Sequence, residues 1–225
     1  MKAMIALCLC IGLLTGSPVY RNDSARQIYC CAPNSEKKIA LTFDDGPHPE
    51  YTLRILSILK EYGVKATFFT IGENVSYYPA AFDQILQSGH EIGNHTYSHP
   101  HMQGQNQNDL ATEIRNTEQL LTHRGAQSTS LFRPPEGVCS DTVCQTAKEM
   151  GYSIILWTVD TGDWRHTPAD TIAENVLNNV KSGDIILFHD YISENSPTPD
   201  ALRILLPALL EKGYQFVTVS ELIGV

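Results

Sequence analysis

From Lys37 onward, short apolar runs alternate with stretches whose apolar residues recur at helical spacing. That pattern predicts repeated β-α units around a parallel sheet or barrel. Ile39–Phe43 reads as a strand. Thr52–Tyr62 places Leu53, Ile55, Leu56 and Leu59 at helical intervals and stops at Gly63, which predicts a helix. Ala66–Ile71 is the next strand, Pro79 opens a helix that ends near Ser88-Gly89, and Glu91–Gly93 is a short strand. Leu110, Ile114, Leu120 and Leu121 mark a helix over Asp109–Arg124, closed by Gly125. Leu131-Phe132 predicts another short strand, and Asp141 is placed to cap a helix ending at Gly151. The remaining pattern is strand Ser153–Val159, helix Pro168–Lys181, strand Asp184–His189, helix Pro199–Lys212 and a last strand Tyr214–Val219. About seven β-α units, with no internal repeat, give one α/β domain over residues 37–225.

The N-terminal end differs. Lys2 precedes an apolar run from Ala3 to Leu14, followed by Thr15-Gly16-Ser17. Residues 1–17 therefore resemble a secretory signal peptide or an uncleaved membrane anchor, with a buried first helix as the alternative. The apolar run is short for a bilayer span. Residues 18–36 lack periodicity and read as a linker. This end predicts a secreted or cell-surface protein that meets a membrane only through that segment.

Composition narrows the partners. The chain has 42% hydrophobic and 18% charged residues, which fits a folded domain. Its formal net charge is −9 and it carries no basic run, so nucleic acid and anionic membranes are disfavoured. Cys30, Cys31, Cys139 and Cys144 lie beyond the signal-like segment. A Cys139–Cys144 bridge and free thiols both remain open from spacing alone.

The candidate chemistry sits where predicted strands end. Leu41-Thr42-Phe43 runs into Asp44-Asp45-Gly46, and Ile185 to Phe188 runs into His189. His95, His99, Arg133, Asp160 and Asp163 also follow predicted strands. Active sites of parallel α/β folds gather at the carboxyl ends of strands. Each piece alone has an ordinary reading: Asp44-Asp45-Gly46 a turn, Asp163-Trp164 a cap beside a core Trp, His189 a rim histidine. His95 and His99, four apart, would face one side of a helical turn, and Asp45 would complete an open three-ligand metal site. A leftover carboxylate and histidine suit proton transfer in metal-assisted hydrolysis. Arg133-Pro134-Pro135 is a stiff stretch that could hold a guanidinium against Asp44.

Taken in order, Thr42–Gly46, His95–His99, Arg133–Gly137, Asp160–Trp164 and Leu187–His189 closely resemble the five motifs of the polysaccharide deacetylase family. This family is also called the NodB homology domain or carbohydrate esterase family four. The resemblance implies a distorted (β/α)7 barrel and a divalent metal, most often Zn2+, with Co2+, Ni2+ or Fe2+ as alternatives. It implies metal binding by Asp45, His95 and His99, a general base at Asp44 and a general acid at His189. Arg133 would orient Asp44 and Asp163 would tune His189. Trp164, Leu187, Pro134 and Glu136 would contact substrate; Glu136 stands where the family often has Tyr. The implied reaction releases acetate from an N-acetylated polysaccharide such as peptidoglycan or chitooligosaccharide. An O-acetyl xylan esterase and a non-catalytic carbohydrate-binding protein are the alternatives.

Overall fold

The computed structural model describes residues 22–32, 36–192 and 194–225. The signal-like segment 1–17 lies outside the described residues. All strand pairs in the main sheet are parallel, in the order β1-β6-β5-β4-β3-β2-β8-β7. The long central strand is β2 (Lys38–Asp44), between β3 (Thr67–Thr70) and β8 (Ile185–His189). Beyond β3 lie β4 (Glu91–Asn94), β5 (Leu131–Phe132), β6 (Ser153–Ile155) and β1 (Ile28–Tyr29). β7 (Val159–Asp160) flanks β8, and β9 (Gln215–Phe216) pairs with the start of β2.

The strand expected over 153–159 is split. Its halves, β6 and β7, pair on opposite flanks of the sheet. The chain from Ile155 to Val159 can reach at most about 14 Å. The two flanks are therefore brought close, and the sheet curls into part of a barrel. Leu156-Trp157-Thr158 breaks the run, and the carbonyls of Ile155 and Leu156 are taken by the Arg133 side chain.

Helices α1 (Tyr51–Glu61), α3 (Pro79–Gln87), α6 (Ala169–Asn179) and α7 (Thr198–Glu211) cover one group of core residues. Ile39, Leu41, Phe43, Phe68, Ile186 and Phe188 form the sheet side of that group, with Phe43 stacked on Phe68 and Phe188. A second group, including Phe69, Phe132, Ile154 and Leu187, is covered by α4 (Gln107–His123) and α5 (Asp141–Glu149). The strands are buried almost throughout, as the continuous apolar runs of a parallel sheet require.

Three expectations need correction, and one element was not anticipated. Residues read as a linker include β1, where Ile28 and Cys30 are buried and Ile28 pairs with Ile154; two residues are too few to show a period. Ser140, rather than Asp141, caps α5 by accepting the Val143 N–H at 3.2 Å. The last expected strand stops at Phe216, because Thr218 caps α8 (Val219–Ile223). A short helix, α2 (Gly72–Tyr77), follows β3 directly, and its first N–H groups bond to Thr96 and Tyr97 carbonyls. Among the described residues, Cys30, Cys31, Cys139 and Cys144 form no disulfide with one another. No helix of the described residues is long and apolar enough to cross a membrane.

Candidate active site

Every predicted site residue lies on or just beyond the carboxyl end of a strand. β2 ends on Asp44, β4 delivers His95 and His99, and β5 delivers Arg133. β7 leads to Asp163, and β8 ends on His189. The parallel register sets Asp44 opposite His189.

Asp45, His95 and His99 offer ligand atoms that all lie within 4.8 Å of one another. Asp45 Oδ1 is 3.3 Å from both His95 Nε2 and His99 Nε2. His95 Nδ1 is 2.6 Å from the Arg133 carbonyl, which can only accept, so the ring proton sits on Nδ1. In the neutral ring Nε2 is thereby left as a lone pair aimed at Asp45, free to bind a cation. Asp45 Oδ1 is buried and has no hydrogen-bond partner. Electron-rich atoms turned inward on a buried carboxylate oxygen are unfavourable unless a cation sits among them. Two imidazoles and one carboxylate are the donor set of an open catalytic zinc site. The residues present therefore fit a divalent metal.

The histidine pair does not converge as expected. Residues 95–100 are not helical. Thr96 and His99 instead adopt left-handed φ values of 68° and 52°, and Asp45 sits at 73°. Such backbone strain in non-glycine residues persists where the surroundings enforce it. Here the Thr96 hydroxyl bonds the His95 carbonyl and accepts the His99 N–H, and Asn94 Oδ1 accepts the Thr96 N–H at 2.9 Å.

Two differently supported titratable side chains flank the cluster. Asp44, almost wholly buried, receives Arg133 Nη1 on Oδ1 at 2.7 Å. Its Oδ2 is 3.8 Å from His95 Nε2, on the side where the ligands gather. His189 Nδ1 meets Asp163 Oδ1 at 2.8 Å. Asp163 is fully buried and held by the His189 N–H, the Trp164 N–H and the Thr198 hydroxyl.

The electrostatics follow this layout. Burial alone would raise Asp45, but His95, with His189 and His99, holds its carboxyl down at about 2. Burial opposes charge on His95, yet Asp44 and Asp45 raise it; His99 is lowered by burial and by its neighbour His95. Burial also opposes charge on His189, but Asp163, then Asp45 and Asp44, push it up to about 10. In the metal-free protein its stabilising effect is complete below the unfolded value of about 6.5 and fades as pH rises through about 10. A divalent cation on Asp45 adds positive charge nearby, so metal loading is expected to lower the His189 titration. Proton NMR of the His189 ring with and without metal checks this. Titration at or below the ordinary histidine value without metal would contradict the Asp163 pairing.

Other predicted residues stand as follows. Leu187 and Pro134 are buried, and Trp164 is about half exposed with the Arg165 guanidinium 4.4 Å from its ring centre. Glu136 is exposed, has φ 58°, and pairs with His101 at 2.8 Å.

The polysaccharide deacetylase family model matches residues 32–155. A peptidoglycan-N-acetylglucosamine deacetylase of Bacillus cereus is 44% identical over 193 residues, covering 85% of this chain and 90% of that protein. The chain belongs to the polysaccharide deacetylase family.

Solved structures of the family share its fold. A peptidoglycan N-acetylglucosamine deacetylase, in complex with a naphthalenyl-N-oxidanyl-benzamide, superposes with TM-score 0.87 at 37% identity, covering 90% of this chain and 95% of that one. A family 4 acetyl xylan esterase from Clostridium thermocellum, in complex with a cobalt ion, gives TM-score 0.76 at 36% identity, covering 83% and 90%. The curled parallel sheet of this polysaccharide deacetylase family member is therefore the family's fold.

Two supports of the site were not anticipated from sequence. Glu113, on α4, accepts the Tyr97 and Ser98 N–H groups at 2.9 and 2.8 Å and the Ser98 hydroxyl at 3.0 Å. It clamps the loop between His95 and His99. On a helix face it looks like any solvated Glu, and only the fold reveals the contact. Glu113→Ala is expected to weaken metal binding about 10–100-fold. Chelator competition measures it; unchanged affinity would show that the loop holds itself. The second is Asp190, buried, which accepts the Gly46 N–H at 3.0 Å and the Thr52 hydroxyl. Burial raises its carboxyl to about 7.

Proposed function

We propose that the protein is a metal-dependent de-N-acetylase of N-acetylglucosamine-type glycans, peptidoglycan or a chitin-like oligosaccharide, acting outside the cytoplasm. One observation carries the reading. Asp45, His95 and His99 converge beside two proton-handling groups of opposite polarity, Asp44 on Arg133 and His189 on Asp163. Zn2+ is the favoured ion, with Co2+, Ni2+ or Fe2+ as alternatives. A bound cation would polarise the acetamide carbonyl and acidify water.

The chain's own residues supply the rest. Asp44 Oδ2 takes a proton from water, while Arg133 fixes its other oxygen. His189, with Nδ1 tied to Asp163, presents Nε2–H to the departing sugar nitrogen. The products are acetate and a free amine. Leu187 and Trp164 wall the acetyl methyl, and Pro134 and the Glu136 backbone N–H border the developing oxyanion.

The test is acetate release from acetylated chitooligosaccharides, peptidoglycan fragments and acetylated xylan, with and without chelator. The reading expects amide cleavage that chelator abolishes and Zn2+ restores. Release from acetylated xylan alone would make the protein an O-acetyl esterase. Glycan binding without any release would make it a binding protein. Release indifferent to chelator would sink the metal assignment.

A further inference from the structure

An aromatic stack stands directly beside the candidate site and takes no part in the chemistry assigned above. His48 lies face to face with Tyr191, ring centres 4.8 Å apart and planes 8° from parallel. Tyr51 also stacks on His48 at 5.1 Å, and Tyr78 meets it at 5.8 Å. His48 Nδ1 accepts the Glu50 and Tyr51 N–H groups, both at 3.2 Å, which fixes the ring plane. Tyr191 keeps 37% of its surface exposed, although one face is covered by His48.

The stack is fixed to both halves of the site. His48 follows Asp45 by three residues, and Tyr191 follows His189 by two. Asp190 ties the two segments together through the Gly46 N–H and the Thr52 hydroxyl, and Thr52 also accepts the His48 N–H at 2.7 Å. Tyr51 Oη accepts the Asn195 N–H at 2.6 Å, which anchors the loop after Tyr191. Burial lowers His48, so the ring beneath Tyr191 is neutral at pH 7.

A flat, uncharged aromatic face held rigid at low entropic cost suits a ligand that is itself flat and apolar on one face and polar at its rim. The C–H face of a pyranose ring has that character. A glycan held with one acetamide at Asp45 and His189 must run past the neighbouring surface. We propose that the outer face of Tyr191, backed by His48, is a stacking subsite for a sugar ring adjoining the one that reacts. This rests on the deacetylase reading.

Acetate release is measured on N-acetylchitooligosaccharides from dimer to pentamer, for the unmodified protein, Tyr191→Ala and Tyr191→Phe. The ratio of kcat/KM for pentamer over dimer is expected to fall about tenfold in Tyr191→Ala and to hold in Tyr191→Phe, which keeps the ring face. An unchanged ratio in Tyr191→Ala would overturn the subsite. So would a Tyr191→Phe loss equal to that of Tyr191→Ala, since the hydroxyl would then be the contact. Calorimetric titration with the pentamer runs in parallel. If no oligomer yields acetate, the deacetylase reading fails, and the titration decides the subsite alone. About tenfold weaker binding by Tyr191→Ala sustains it, and equal binding refutes it.

Discussion

Asp44→Asn is expected to lower turnover on acetylated glycans about 10²–10⁴-fold while the metal stays bound. The argument is one of shape against charge. Asn fills the same volume, so the turn into Asp45 and the three ligand atoms keep their places. What disappears is the oxygen able to take a proton on the side facing His95. Asp45 already serves the two imidazoles, at 3.3 Å from each, and His189 is committed to Asp163. Among the described residues, Asp45 and Asp44 are the two carboxylates within 4.0 Å of His95 Nε2. Steady-state acetate release and metal content, measured on the same preparation, check the outcome. Near-normal turnover would show that Asp44 is not the base. Loss of activity together with loss of metal would reassign it as a ligand or a structural residue.

The grouping of the candidate site residues was legible because strand ends carry them. A parallel sheet sends each apolar run to the same edge, so the residue types after Phe43, Asn94, Phe132, Asp160 and Phe188 could be grouped before any distance was known. The resemblance in motif order then suggested a role for each residue. What the sequence withheld was set by single contacts. His95 and His99 meet through two left-handed residues, not through a helical turn, and left-handed backbone leaves no mark in a Thr or His. The split of 153–159 depends on Arg133 taking two carbonyls, a contact between residues about twenty apart. Strand β1 has two residues, and α8 begins on a Thr cap inside a run that reads as β. Glu113 and Asp190 act through backbone N–H groups, which every sequence supplies alike.

Arg133→Ala is expected to be the most destabilising single change at the site, by about 3–5 kcal/mol, with the unfolding midpoint falling on the order of 10 °C. The guanidinium is fully buried. It donates to Asp44 Oδ1 at 2.7 Å, Thr42 Oγ1 at 2.8 Å, Ile155 O at 3.0 Å and Leu156 O at 3.2 Å. It also lies 4.2 Å from the Phe69 ring centre. Removing it leaves a buried carboxylate with no cation and strips donors from the carbonyls at the break between β6 and β7. Those losses far exceed what the ion pair contributes net, because the expensive step is stranding Asp44 rather than losing attraction. Arg133→Lys should recover only part, since an ammonium cannot fork to four acceptors at once. Combining Arg133→Met with Asp44→Asn should cost less than the two separate losses added, because no buried charge is then left alone. Thermal unfolding of the metal-free single and double variants measures this. Strict additivity would mean the pair is not coupled, and the case for Arg133 as the support of the base would fall with it.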